Sequence, residues 1–269
     1  MTDGRVLAFD GDRFRVVTPG DDRVSSVAAL RVDPRDGTLW GTAPDVFGRH
    51  DPQGAVLRKP SVVFQIDPAT GRYLRIIELP AGAFANDLAF DADHNLYVTD
   101  SLGGQVLRLS PGDRAFERFV QHDLLGGGGL GAAGIAVAPD GSMYVGTYSA
   151  GRLLRIRGGH VETLRTPRPL RNPDGMRALP DGTLLVLEGN ATGESGRLLR
   201  LKIDGLDAAV QEIAVVEMPL NLTLEESTVV VTDAAARPWL TAFLAGRTAQ
   251  PPEVSRLRRI ALPLEGIMK

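Results

Sequence analysis

Short apolar runs separated by tight polar turns recur along the chain, and the clearest group spans Phe84 to Leu109. Leu88–Phe90 is followed by a turn at Asp91-Ala92-Asp93-His94-Asn95, then Leu96–Thr99, a polar loop through Gly103-Gly104, and Val106–Leu109. Three runs of strand length bounded by turn residues predict an antiparallel meander. The pattern returns about 47 residues on, over Gly131–Ile156, and again about 41 residues after that, over Asn172–Leu201. Meanders repeating every 40 to 50 residues or so predict the blades of an all-β propeller.

The flanks fit the same plan less regularly. Arg5–Phe9 and Arg13–Val17, around Asp10-Gly11-Asp12, predict two outer strands of a blade that lacks its inner pair. Val27–Thr42 predicts the inner pair of the next blade, and Ser61–Asp67 with Tyr73–Leu79 its outer pair. Between them, Ala43 to Pro60 is too polar for a core; it contains His50 and Asp51 and predicts a surface loop or lid. Leu220–Leu224, Thr228–Asp233, Trp239–Leu244 and Arg256–Leu262 predict a degenerate last blade. Helical patterning is weak everywhere, with Leu206–Val210 and Trp239–Leu244 the nearest candidates. The whole chain is expected to form one propeller domain of six four-stranded blades, with an incomplete N-terminal blade; the repeats also allow five. Ring closure would remove the open sheet edges of a linear meander.

Composition narrows the chemistry. The 269 residues are 43% hydrophobic, with 31 Gly and 18 Pro, which suits many short strands and turns. Cys is absent, so disulfides, thiolate catalysis and thiolate metal sites are excluded. A net charge of -3 with scattered arginines argues against nucleic acid as a partner. No apolar run has the length of a signal peptide or a membrane span, so a cytoplasmic location and no membrane partner are expected. Gly126–Gly129 lacks the strand–glycine–helix setting of a phosphate loop and reads as a connector.

Aligning the repeats on their turns places Ala28, Asn86, Ala133 and Asp174 just before successive inner strands, with Pro219 or Asn221 in the last repeat. In a propeller these positions meet at one mouth of the central channel. Converging oxygen donors there suit a hard cation. Antiparallel pairing sets Asp100 beside Asn86, Glu188 beside Asp174, and Asp233 beside the start of the last repeat. Asp174 is a candidate metal ligand and general base; its structural alternative is an Asx turn in Asn-Pro-Asp-Gly. Asn86 is a candidate ligand or a turn cap. Glu188, ending the apolar run Leu184–Leu187, is a candidate acid or base if burial raises its pKa. Tyr148, Arg171 and His122 are candidate substrate contacts, although loop residues of these types are more often simply solvated. Arg165, Arg168 and Arg171 form a small basic cluster ahead of Asp174.

The segments FANDLAFDADHNLYVTDS, GIAVAPDGSMYVGT and NPDGMRALPDGTLLV resemble the gluconolactonase, senescence-marker-protein and luciferin-regenerating-enzyme family. The resemblance covers Val27 to Leu201 and implies a six-bladed propeller with one divalent cation, most often calcium, in its channel. It implies a metal-ligand role for Asn86 and a ligand-and-base role for Asp174. The chain departs from the family at Ala133, where Asn is usual, and at Ala28, where many members are polar. The segment that would carry a metal-binding Glu has no counterpart.

The function this implies is cation-assisted hydrolysis of a lactone or related ester at the channel mouth, with a small molecule as substrate. One alternative is a metal-independent propeller enzyme of the strictosidine-synthase-like kind, with Asp174 or Glu188 as base. Another is a noncatalytic propeller that binds a ligand or protein. The incomplete first blade also allows an oligomer in which a neighbour covers the gap.

Overall fold

The computed structural model describes residues 4–46, 48–50, 53, 56–189, 193–234, 236–245 and 256–262. The chain divides into two compact units, residues 1–132 and 133–269. The first opens with the hairpin β1 (Val6–Phe9) and β2 (Phe14–Thr18). It continues through β3 (Ala29–Val32), β4 (Leu39–Ala43), β5 (Arg49–His50), β6 (Val56–Leu57), β7 (Val62–Ile66) and β8 (Tyr73–Glu78). Next come β9 (Ala85–Phe90), β10 (Leu96–Asp100), β11 (Gln105–Leu109), β12 (Glu117–Gln121) and a single 3₁₀ turn, Asp123–Leu125. The second unit holds β13 (Ala132–Val137), whose first residue closes the first unit, then β14 (Met143–Thr147), β15 (Arg152–Arg157) and β16 (His160–Thr163). It continues with β17 (Pro173–Ala178), β18 (Leu184–Glu188), β19 (Gly196–Asp204) and β20 (Asp207–Val216). It ends with β21 (Pro219–Glu225), β22 (Thr228–Asp233), α1 (Arg237–Leu244) and β23 (Arg256–Ala261).

Among the described residues these strands make five blades. The first is β3-β4-β7-β8, the next three are the consecutive meanders β9–β12, β13–β16 and β17–β20, and the fifth is β21-β22-β23. Five is the smaller count that the repeats allow. The hairpin β1-β2 remains a two-stranded sheet, as the missing inner pair predicts, and β5-β6 is a small hairpin inside the insertion. Asp51 of that insertion lies outside the described residues.

Burial follows position in the blade. The second strands β10, β14 and β18 are buried at every residue, while the outer strands β12 and β16 are exposed or half-buried throughout. A second strand has neighbours at both edges and packed blades on both faces, so both of its faces are buried. In the first unit Leu88, Leu96, Val98 and Leu107 pack against Ala29, Trp40, Val63 and Ile77 of the preceding blade. In the second, Leu153 and Tyr144 meet Met176, Val186 and Leu199, while Leu185 and Leu198 meet Leu222 and Val231.

Two local expectations are corrected. Leu206–Val210 is not helical: Leu206 lies in the tight turn at Gly205, and Asp207 onward pairs with β19 as the outer strand β20. Trp239–Leu244, read as a strand of the last blade and also as one of the two nearest helix candidates, is most of α1, with Trp239 and Leu240 packed on Met218, Ala234 and Ala236. The third strand of the last blade comes instead from β23, paired directly with β22.

One ion pair joins the inner strands of the first two blades. The Arg31 guanidinium donates to both carboxylate oxygens of Asp87 at 2.7 and 3.0 Å. Asp87 is 1% exposed at its side chain and Arg31 11%. Burial pulls Arg31 below its ordinary pKa against the opposing pull of Asp87. Removing one partner of such a pair strands a charge. Asp87→Ala should therefore cost about 3–5 kcal/mol in urea unfolding, and Arg31→Met/Asp87→Leu should recover much of it. The turn of the second blade supplies a pH-dependent test. The Tyr97 hydroxyl donates to Asp91 Oδ2 at 3.0 Å, and burial together with that carboxylate pushes the phenol up to about 12. An unfolded phenol titrates near ~10, so this contribution is complete below pH ~10 and is lost as pH rises towards 12. Urea midpoints across that window should fall more steeply for the wild type than for Tyr97→Phe.

Candidate functional site

The site positions lie in β-bulges at the starts of inner strands. In the second blade Ala85 pairs with Asp100 and Leu88 with Val98, so Asn86 and Asp87 share one opposite residue, Thr99. In the fourth, Pro173 pairs with Glu188 and Met176 with Val186, placing Asp174 and Gly175 opposite Leu187. In the fifth, Pro219 pairs with Asp233 and Asn221 with Thr232, which leaves Leu220 as the extra residue. Leu220, rather than Pro219 or Asn221, therefore corresponds to Asn86 and Asp174. Ala133 holds the equivalent place in the third blade and is fully buried. The first blade pairs Ala29 with Thr42 without a break, leaving Ala28 just outside β3.

The residue after each of these positions must let the next blade approach. A Cβ on Gly134 would sit 1.9 Å from the carbonyl oxygen of Asp174, and one on Gly175 would sit 2.8 Å from Cα of Asn221. Inner strands thus touch backbone to backbone at the bulge, which accounts for the Ala-Gly and Asp-Gly pairs of the repeats. In the second blade Asp87 takes this place and pairs with Arg31 instead.

The strand-end acids are committed within their own blades. Asp100 Oδ1 accepts the N–H groups of Phe84 (2.9 Å) and Gly103 (3.0 Å), and Oδ2 accepts from Gln105 (2.8 Å). Asp233 accepts the Met218 N–H at 3.0 Å and Arg258 Nε at 2.8 Å. Glu188, 1% exposed, receives the Arg168 fork at 2.6 and 2.9 Å and the Arg171 N–H at 2.8 Å, with Arg197 3.9 Å away. The small basic cluster is likewise paired: Arg165 with Asp207, Arg168 with Glu188 and Arg171 with Glu194. Reading the sequence alone missed these pairs and the Arg31–Asp87 bridge. Of these, Glu188 carried a signal, as an acid ending a second strand.

Each unit gathers part of the anticipated site. In the first, the Asn86 amide donates to Ser101 Oγ at 3.0 Å, Ser101 donates to the Ala132 carbonyl at 2.6 Å, and Thr42 donates to the Asn86 carbonyl at 2.7 Å. His122 belongs to the same unit. It lines an open recess of about 620 Å³ with Leu102, Gly104, Asp123 and Gly127, which Asp174 does not line. His122 Nδ1 accepts the Leu124 N–H at 3.0 Å, so the neutral ring carries its proton on Nε2 and offers a donor rather than a base. The second unit brings together Tyr148, Arg171, Asp174 and Glu188. Asn172 Nδ2 donates to the Tyr148 carbonyl at 3.1 Å, and the Asn172 carbonyl accepts from Gly189 at 3.1 Å. Asp174 is half-buried.

The anticipated ligand set supplies one side chain in each unit, Asn86 in the first and Asp174 in the second, against the roughly six to eight oxygens that calcium takes. The remaining strand-end carboxylates are occupied as described. Among the described residues no group of three or more His, Cys, Asp or Glu side chains is placed to hold a metal. This donor set falls short of a calcium site, and no step below is routed through a cation.

A streptogramin B lyase structure is 15% identical to this chain, covers 97% of it and 77% of its own length, and superposes with a TM-score of 0.62. Virginiamycin B lyase from Staphylococcus aureus is 16% identical, covers 85% of this chain and 84% of its own, and reaches 0.56. The chain has the β-propeller fold. A nidogen/laminin complex is similar over 64% of the chain at 20% identity and a TM-score of 0.54. Identities this low carry the fold alone. No family description and no curated protein matches the sequence. Among the described residues no helix is long and apolar enough to cross a membrane.

If the strand-end carboxylates close their blades, Asp100→Ala should cost about 2 kcal/mol or more by leaving buried N–H donors unmatched. Chemical denaturation would measure the loss, and a wild-type midpoint in the variant would contradict this role.

Proposed function

We propose that this propeller hydrolyses a lactone or related ester, with Asp174 as general base. The observation that carries the reading is the placement of Asp174. It is a half-buried residue on a bulge, two residues after Asn172, whose amide bonds the Tyr148 carbonyl, in the blade whose neighbouring acid, Glu188, is already paired with Arg168. The resemblance of residues 84–101, 134–147 and 172–186 to the gluconolactonase family supports the same chemistry. In this reading the Asp174 carboxylate takes a proton from water as the water oxygen bonds to the acyl carbon. The proton then goes to the departing alkoxide, and the ring opens to a hydroxy acid. Tyr148 and Arg171 are the proposed substrate contacts.

A second reading rests on the lyases that share the fold, an inactive virginiamycin B variant among them having been solved with quinupristin. There the same carboxylate would remove a proton from carbon, and the ester would open by elimination.

A panel of γ- and δ-lactones and aryl esters, followed in a pH-stat, tests the first reading. Asp174→Asn should lower kcat/KM by about 100-fold or more. Turnover in ¹⁸O-water should place the label in the product acid for hydrolysis, and give an unlabelled alkene product for elimination. A divalent cation belongs to the mechanism if EDTA abolishes turnover and Ca²⁺ restores it. Turnover unaffected by Asp174→Asn would remove the proposed base.

A further inference from the structure

We infer that Glu188 is a positioning residue for Asp174, holding the backbone that leads into β17; this rests on the reading of Asp174 as the base. The inference comes from a departure within the repeats. In the second and fifth blades the strand-end Asp takes the N–H of the residue just before the inner strand, Phe84 before Ala85 and Met218 before Pro219. In the fourth blade that residue is Asn172, but Glu188 reaches one residue further back, to the Arg171 N–H. The extra methylene of Glu supplies the reach. Asn172 supplies the reason, because its φ of +47° turns the local backbone into the left-handed region.

A non-glycine residue in that region is retained when its surroundings over-determine it. Here Asn172 is held by Tyr148 through its side chain and by Gly189 through its carbonyl, with Glu188 gripping the preceding N–H. Glu188 is fixed in turn by Arg168 from the preceding loop and flanked by Arg197 from β19. In the second and fifth blades a side chain of the third strand, Gln105 or Arg258, bonds the strand-end Asp, whereas Glu188 is gripped by an arginine from the preceding loop. Gly189, next in chain, abuts the base directly: a Cβ placed there would lie 3.8 Å from Cβ of Asp174. The clamp thus spans residues 168–172, and Glu188 itself grips the chain at Arg171, three residues before Asp174, with no contact of its own to substrate.

Glu188→Asp tests this, since it keeps the charge and an arginine partner while shortening the reach to Arg171. Two readouts are taken, with melting temperature confirming the fold. One is the kcat and KM split on δ-valerolactone and p-nitrophenyl acetate. The other is the ¹³Cγ titration midpoint of Asp174, assigned by its loss in Asp174→Asn. The expected result is a fall in kcat of about tenfold or more with KM nearly unchanged, together with a midpoint shift of about half a unit or more. Asp233→Glu, a length change in another blade, should move neither. A folded Glu188→Asp protein with wild-type kcat and midpoint overturns the inference. If Glu188→Asp does not fold, Arg168→Gln loosens the same clamp and is judged by the same readouts. Should the wild type hydrolyse neither probe, the functional reading fails separately, and the midpoint alone decides the clamp: a shift supports it and no shift overturns it.

Discussion

The structure depends on how each inner hairpin is closed at its bulged end. A bulge opens the ladder and leaves backbone N–H groups of the approaching loop without strand partners. Asp100, Glu188 and Asp233 meet those donors from the end of the adjacent strand. Three of the five blades use this device. In the third blade Thr147 stands at the same place, with its hydroxyl accepting the Arg152 N–H, and the first blade, with no break in its β3–β4 register, ends in Ala43. Each carboxylate so used needs compensation for its own burial, and Gln105, Arg168 or Arg258 provides it. A buried acid at the end of a second strand is therefore a consequence of the bulge before it is a candidate for chemistry.

That constraint sorts the polar residues of the blades. Where the bulge presents Asn86 or Asp174, a polar side chain remains at the end of an inner strand; where it presents Ala133 or Leu220, none does. The next residue has no freedom of its own, because it faces the backbone of the neighbouring blade. Gly134 and Gly175 satisfy that by having no side chain, whereas Asp87 turns to Arg31 of the preceding blade. In the second unit the leading residue of the bulge is polar at Asp174 and apolar at Leu220.

Much of this was legible in the sequence. Turn spacing located the strands of the second blade to within a residue, apart from the first three residues of β9, because Asx turns are local properties. The two arms of the N-terminal hairpin and the insertion after Ala43 were equally visible. The last blade was not, since a six-residue apolar run such as Trp239–Leu244 satisfies either period, and packing against Met218 decided for helix. The position of Leu220 was obscured for a similar reason, as one residue of bulge cannot be counted without its partner strand.

The sequence by itself determined the repeat, the strand order within each central blade, and the equivalence of Asn86, Ala133 and Asp174, all of which depend on neighbours along the chain. Only the tertiary structure decided what the charges do. Arg168 meets Glu188 across twenty residues and Arg31 meets Asp87 across fifty-six, separations at which no periodicity distinguishes a solvated arginine from a buried partner. Ion pairing needs two groups within a few ångströms, and that proximity is set by how blades stack rather than by any local preference of the chain.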